Sequence, residues 1–405
     1  MLFCAMAVLA ATAWTIIYHF TWRGPALSMI FAFYLVATTI MLFTLTAAFK
    51  GRRFTSLPPA PGNVVVIVPS YNEPPERLEC TVRALIEQSR PPDAIHVVDD
   101  GSSVPVVPFD HPKVTWHRQD NQGKRYAQAN VLRRLAEEDV DFIVTVDSDS
   151  RLDRDAVEHL LRAMSDPRIQ AATGLMMVHN RTAKLVTRVI DLEIVTWGLV
   201  TRMARSILGV VAPTSGVMAI YRKDLVYDNL DDYVTSGTVG DDRRLTHYAL
   251  QRGQVVAVNE ARVHTAMPEH VGELFRQRTR WFKSYWRYTP WELEHFSVVP
   301  LLFRLYALVL AVIAPITYLW ILVFLPEQGP LVLLQCFGYW VIITWAQTGI
   351  YAVMRPELDL RTRLTAWLFL TPLVSLMNLL IIKPALYWAV IKARDLTWQT
   401  RRTVS

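Results

Sequence analysis

The chain has 405 residues, 52% of them hydrophobic and 19% charged, with a net charge of +6. That composition is too apolar for an ordinary soluble enzyme and puts part of the chain in a bilayer. Its basic residues flank lipid-length segments and form no stripe through a soluble domain, which argues against a nucleic-acid partner. Cys4, Cys80 and Cys336 are too scattered for a disulfide framework or a zinc site, which fits a reducing cytoplasm.

Two apolar runs open the chain, Leu2 to Phe20 and Ala26 to Phe49. Each can reach across about 30 Å of hydrocarbon. The first lacks the basic n-region of a secretory signal, so residues 1–57 are expected to form two transmembrane helices. Lys50, Arg52 and Arg53 follow the second run, and Arg355, Arg361 and Arg363 follow a later one, while the loop "PEQGP" carries no basic residue. The positive-inside rule then puts the middle of the chain in the cytoplasm, beneath a multi-pass anchor in the cell membrane.

Residues 58–275 have ordinary polarity and alternate β-rich runs with helical stretches. "NVVVIVPSYNE" (63–73) reads as a buried strand ending in a polar turn, followed by a helix from about Glu76 to Gln88. "AIHVVDDGSS" (94–103) repeats the pattern, as does "DFIVTVDSDS" (141–150) after the helix in "GKRYAQANVLRRLAEE". This order predicts a parallel sheet with helices on both faces and a ligand crevice beyond the carboxyl ends of its strands. Glu73, the pair Asp99 and Asp100, and the pair Asp147 and Asp149 all fall at those ends. Each turn taken alone is good turn or helix-cap chemistry; together the carboxylates repel one another unless cations compensate. Asp-x-Asp at a strand end offers oxygen ligands to Mg²⁺ or Mn²⁺. Lys124 and Arg125, at the start of a helix, supply cationic donors suited to phosphate. The set reads as a nucleotide-diphosphate site.

Further along, "GDDRRLTHYAL" puts Asp241 and Asp242 before Arg243 and Arg244 at a helix start. Residues 276–297, with "RQRTRWFKSYWR", read as interfacial helices in which Trp281, Tyr285 and Tyr288 share a face. Residues 298–391 contain three apolar runs. The last, Leu364 to Ile391, is interrupted by Lys383 and Pro384 and is too long for one upright helix. A broken hairpin or partly interfacial helix is expected there, returning the basic tail 392–405 to the cytoplasm; a single tilted span is the alternative.

"VPSYNE", "VVDDGSS", "DSDS", "GDDR" and "RQRTRW" occur in the order found in processive, membrane-embedded, inverting family 2 glycosyltransferases. The resemblance extends through "WQTR" (398–401) and is closest to the hyaluronan synthases, beside the cellulose, chitin and poly-N-acetylglucosamine synthases. It implies a Rossmann-like α/β GT-A catalytic domain inserted between α-helical transmembrane segments. It further implies UDP-sugars, a growing polysaccharide chain and membrane lipids as partners, and a divalent metal as cofactor; a monomer is expected.

Carried over residue by residue, the resemblance assigns Tyr71, Glu73 and one or both of Asp99 and Asp100 to the uridine, with Lys124 and Arg125 nearby. Asp147 and Asp149 would hold metal and diphosphate, helped by Gln277, Arg280, Trp398 and Arg401. Ser215, Gly216, Asp241, Arg243 and Trp281 would form the acceptor site, and Asp242 the catalytic base. Asp241 is expected to cap its helix and Arg243 to orient its neighbours. Lys283, Arg287 and Arg304 are expected to line the path of an acidic polymer. Two departures from the family pattern stand out: "HTAMPEH", whose His264 reads as structural before a metal ligand, and Gln399, where the family has Gly. The implied activity is polymerisation of UDP-glucuronic acid and UDP-N-acetylglucosamine into hyaluronan with extrusion. A single-sugar polysaccharide synthase is the first alternative, and a non-processive transferase to lipid phosphate a lesser one.

Overall fold

A computed structural model of the protein describes residues 44–51, 53–236, 240–324 and 330–393. The expected first span, most of the second, and the "WQTR" tail lie outside these residues.

Strand β1 (Val64–Ser70) is buried along its whole length, as is β4 (Phe142–Val146); β2 (Ala94–Asp100) is buried at every position but its first. Strands with apolar side chains on both faces need cover on both. Helices α1 (Pro75–Ile86), α2 (Lys124–Arg134) and α3 (Ala156–Met164) supply much of it. With β3 (Val114–Gln119) at one edge, β3, β2, β1 and β4 run parallel, as the βαβ spacing predicts.

The remainder of the sheet departs from the all-parallel expectation. The complete order is β3-β2-β1-β4-β7-β6-β8-β5, with β5 (Arg151–Leu152), β6 (Ile169–Val178), β7 (Met218–Arg222) and β8 (Gln254–Thr265). Strand β7 is antiparallel to both β4 and β6, and β5 is antiparallel to β8. An antiparallel neighbour begins where its partner ends. The turn into β7, carrying Ser215 and Gly216, therefore lies beside the carboxyl end of β4, and Asp147 N donates to Val217 O across 3.4 Å.

Between β6 and β7 the chain forms α4 (Leu185–Trp197), a wider π-helical turn (Gly198–Arg202) and α5 (Met203–Ile207). Helix α6 (Asp241–Arg252) precedes β8; α7 (Val271–Arg287) and α8 (Thr289–His295) follow it and lead to α9 (Val298–Phe324) and α10 (Pro330–Met354). The chain is then helical without interruption from Leu360 to Ile391, called α11 here. By length and composition this run can cross a membrane; among the described residues it alone meets that test.

The break expected at Lys383–Pro384 is absent, so the hairpin reading gives way to one continuous helix. The physical reason is local. A π-helical turn, Asn378–Ile382, precedes the proline, and its wider winding accommodates a ring and a missing N–H that a regular α-helix tolerates poorly. Trp286 on α7 donates its Nε1–H to Leu386 O at 2.8 Å, fixing the "RQRTRW" helix against α11.

Candidate active site

A cavity of about 1690 Å³ runs along the carboxyl edge of β1, β2 and β4 and continues between α7, α9 and α11. Of the residues singled out in the sequence, Tyr71, Glu73, Asp100, Lys124, Asp147 and Asp149 line it on the sheet side. Ser215, Gly216, Asp241, Asp242 and Arg243 line its floor, and Gln277, Arg280 and Trp281 face it from α7. Three strand ends, one strand start and three helices thus bring them together.

Lys124 is the electrostatic centre of the floor. Its ammonium bridges Asp147 Oδ1 at 2.7 Å and Asp241 Oδ2 at 2.8 Å, and although burial disfavours its charge, these carboxylates hold it protonated. Burial pushes Asp147 up to about 6, with Lys124 opposing and Asp149 and Asp241 adding repulsion. The adjacent Asp241 and Asp242 are driven apart. Against the cost of burial, Lys124 and Arg125 hold Asp241 below the ordinary carboxylate range, whereas burial and the Asp241 charge push Asp242 above it. Two neighbouring carboxylates with opposed shifts are suited to different tasks.

Two glycines permit this crowding. A Cβ on Gly216 would lie 3.4 Å from Lys124 Nζ, 3.8 Å from Asp147 Oδ2 and 3.9 Å from Asp242 Oδ2, filling the floor. Gly240, with φ +74°, starts α6, and a Cβ there would meet Ser284 Cβ at 2.6 Å. Asp241 therefore does not cap α6: Gly240 stands in the cap position, and no side chain caps the helix.

Other expectations need correction. Asp99 is buried outside the crevice, accepting from Ser102 N at 2.9 Å and pairing with Arg118. Its strand neighbour Asp100 reaches the crevice wall, where its oxygens accept from Gln119 Nε2 (2.7 Å), Gln122 N (3.0 Å) and Gly123 N (2.8 Å) and shape the turn before Lys124. Alternation along a strand sends consecutive side chains to opposite faces, so only one of the pair could face the site. Arg125 points away from the crevice for the analogous helical reason. It is buried and donates to Tyr233 O (3.1 Å), Gly240 O (2.9 Å) and Tyr288 Oη (2.7 Å), so it anchors Gly240, the residue directly before Asp241 and Asp242. His264 is paired with Asp153 at 2.8 Å, outside the cavity. Lys283 and Arg287 do not line the cavity either. Trp398 and Arg401 lie outside the described residues.

Glu292, which no sequence pattern marks, holds the far wall together. It is 1% exposed and accepts from Arg243 Nη1 (3.0 Å) and His247 Nε2 (2.9 Å), while Arg304 Nε lies 2.6 Å away. Burial works against its charge, yet the His247 hydrogen bond and the two guanidiniums bring it down to about 2. Arg304, expected on the path of the polymer, does line the cavity, and there it is paired with Glu292. Glu292→Gln leaves the buried guanidiniums uncompensated and is expected to cost about 3–5 kcal/mol, read as a lower midpoint in thermal unfolding of the purified protein. The stability this carboxylate supplies is complete above its ordinary value of 4.5 and disappears as pH falls through about 2. The variant should therefore flatten acid sensitivity in that window.

Asp147 and Asp149 also meet the requirements of a divalent cation in part. Both are hard oxygen donors at one strand end, and Asp149 and Asp241 add like charge beside Asp147, which a cation would offset together with Lys124. Among the described residues no group of three or more His, Cys, Asp or Glu side chains could enclose an ion. A metal held by this pair would leave coordination positions for phosphate oxygens, as hydrated Mg²⁺-type sites do.

The family model "Glycosyltransferase like family 2" matches residues 60–284. The chain is 29% identical to the hyaluronan synthase of Streptococcus pyogenes over 378 residues, which cover 88% of this chain and 86% of that protein. It is 33% identical to an N-acetylglucosaminyltransferase of Rhizobium sp. (strain N33) over 275 residues, 60% of each chain. Among solved structures it is similar to the mannosyltransferase PcManGT from Pyrobaculum calidifontis in complex with GDP-Man and Mn²⁺, with a TM-score of 0.50 and 17% identity, covering 89% of this chain and 97% of that one.

Proposed function

Because the chain belongs to the family 2 glycosyltransferases, we propose that it is a processive, inverting polymerase of UDP-sugars that extrudes its polysaccharide across the membrane. The observation that carries the reading is the floor of the crevice. A half-buried carboxylate of raised basicity, Asp242, lies beside a Lys124–Asp147–Asp241 cluster suited to a diphosphate, with Gly216 leaving room between them.

In this reading the donor sugar lies over Gly216 with its diphosphate toward Asp147 and Asp149. Asp242 removes the proton of the acceptor hydroxyl as that oxygen attacks the anomeric carbon, and inversion follows from a single displacement. Asp241 stays ionised on Lys124 and keeps that ammonium in place. Arg280 and Gln277, lining the same cavity, stabilise the departing UDP, and Trp281 offers an aromatic face to the acceptor ring. Bound Mg²⁺ or Mn²⁺ would be held by Asp147 and Asp149 and would supply charge neutralisation at the diphosphate. The cavity continues past Pro300, Ala307 and Leu386, between helices we take to be membrane-embedded, and this supports a direct route from site to bilayer.

For the product we propose hyaluronan, supported by the hyaluronan synthase relative that spans nearly the whole chain. The N-acetylglucosaminyltransferase relative favours the second reading, a single-sugar polymer from UDP-N-acetylglucosamine. Incubation with each donor singly and with both, followed by sizing, separates them. Long chains are expected only from the pair of UDP-glucuronic acid and UDP-N-acetylglucosamine, and a hyaluronan-specific lyase should degrade them. Long chains from UDP-N-acetylglucosamine alone would establish the second reading.

A further inference from the structure

The crevice gathers Glu73, Asp147, Asp149 and Asp241 around Lys124 on its sheet side, while Arg202, Arg205, Arg243 and Arg304 line it together with Glu193, which pairs with Arg278, and Glu292. Two of these, Arg202 and Arg205, lie three residues apart where the π-helical turn passes into α5, a spacing that sets them on one helical face. Both line the cavity, and neither has an ion-pair partner among the described residues.

Arg202 is 7% exposed, and its Nε is buried without a hydrogen-bond partner. It donates from Nη2 to Pro213 O at 3.3 Å and sits over the Trp197 ring at 4.8 Å. Arg205 donates from Nη1 to Ala212 O at 3.0 Å and lies 5.4 Å from the Phe303 ring centroid. A guanidinium has five N–H donors, so most of their capacity is unspent. Burial lowers Arg202 to about 10, with the Asp242 charge only partly offsetting it; Arg205 is lowered by burial and by Arg243 and Arg304 nearby. Glu292 is already shared between Arg243, Arg304 and His247.

Keeping a buried guanidinium, Arg202, and a half-buried one, Arg205, beside others with no ion-pair partner among the described residues is unfavourable unless an anion arrives with the ligand. A donor diphosphate belongs on the sheet side, by the Asp147–Asp149 pair. The geometry points to a second anion site: we propose that Arg202 and Arg205 bind the carboxylate of a uronic acid residue in the growing chain, on the acceptor side of Asp242. This inference rests on the uronate-containing product proposed above. Carboxylate suits the pair because a guanidinium fork matches its two oxygens. Lys383 on α11 lines the same cavity and provides a further cation.

The test uses the full chain in detergent and calorimetry with two probes, an alternating glucuronate–N-acetylglucosamine tetrasaccharide and its neutral methyl ester. Wild type should bind the acid roughly tenfold to a hundredfold more tightly than the ester. Arg205→Gln should bring that ratio near one, and Arg205→Lys should restore part of it. Arg202→Lys, which keeps the charge but loses the fork, guards against misfolding of a neutral variant and should also lower the ratio. Equal wild-type affinity for acid and ester, no binding of either, or unaltered ratios in all three variants overturns the inference. Product analysis on the same wild-type preparation separates the two failures. A uronate polymer made without carboxylate preference removes only the subsite, whereas a purely neutral polymer removes the hyaluronan reading along with it.

Discussion

Asp242→Asn is expected to lower kcat by roughly a hundredfold to ten-thousandfold, the range a positioned general base contributes, with little change in the affinity for UDP-sugar. The side chain keeps its shape and can still accept the Arg243 N–H that lies 2.8 Å from Asp242 Oδ1, so the start of α6 is preserved. What disappears is the site for the acceptor proton. Stability should move the other way. Burial and Asp241 raise the pKa of Asp242, so its ionised form is disfavoured in the folded state, and a neutral amide removes that penalty. The variant should be inactive with an unchanged or higher unfolding midpoint, a pairing that a merely structural residue does not give. In wild type the acid limb of the rate profile should lie above the ordinary aspartate range near 4, because proton uptake by the raised Asp242 removes the base. Calorimetry beside a UDP-release assay measures both quantities; parallel loss of binding and turnover would assign Asp242 to nucleotide or metal instead.

Excess chelator, and Asp149→Asn, should each remove most transfer, restored in the first case by Mn²⁺ or Mg²⁺. The Asp147 carboxyl is already engaged by Lys124 at 2.7 Å, so Asp149 is expected to carry the more direct metal contact of the pair. Replacing it deprives the diphosphate of its bridge at the point where negative charge grows. Since a proton on Asp147 competes with a cation, metal affinity should weaken as pH falls below about 6. Titration with Mn²⁺ followed by electron paramagnetic resonance reads that affinity without reference to turnover. Full transfer in excess chelator would discard the metal altogether.

The sequence by itself determined the three buried strands and the acidic turns after them, because continuous Val and Ile runs ending in Ser-Tyr-Asn, Asp-Asp-Gly and Asp-Ser-Asp have one economical placement, a sheet covered on both faces. It also determined that Glu73, Asp147 and Asp149 would meet, since βαβ order sends strand ends to one edge, whereas Asp241 and Asp242, at a helix start, were assigned to the same site only through the family resemblance. The side of each chain element was a different matter. Asp99 and Asp100 are adjacent letters, yet the pleat gives one to a buried arginine pair and the other to the crevice; Lys124 and Arg125 diverge in the same way around a helix. The antiparallel return of β7, which puts Gly216 against Lys124, depends on which neighbours were free to accept its backbone hydrogen bonds. The same holds for Glu292. Its value comes from Arg243, His247 and Arg304, 49, 45 and 12 positions away in the chain, and a single glutamate in "WELEH" carries no trace of partners that distant. That Arg202 and Arg205 have no ion-pair partner among the described residues is likewise decided by packing, which a linear sequence does not express.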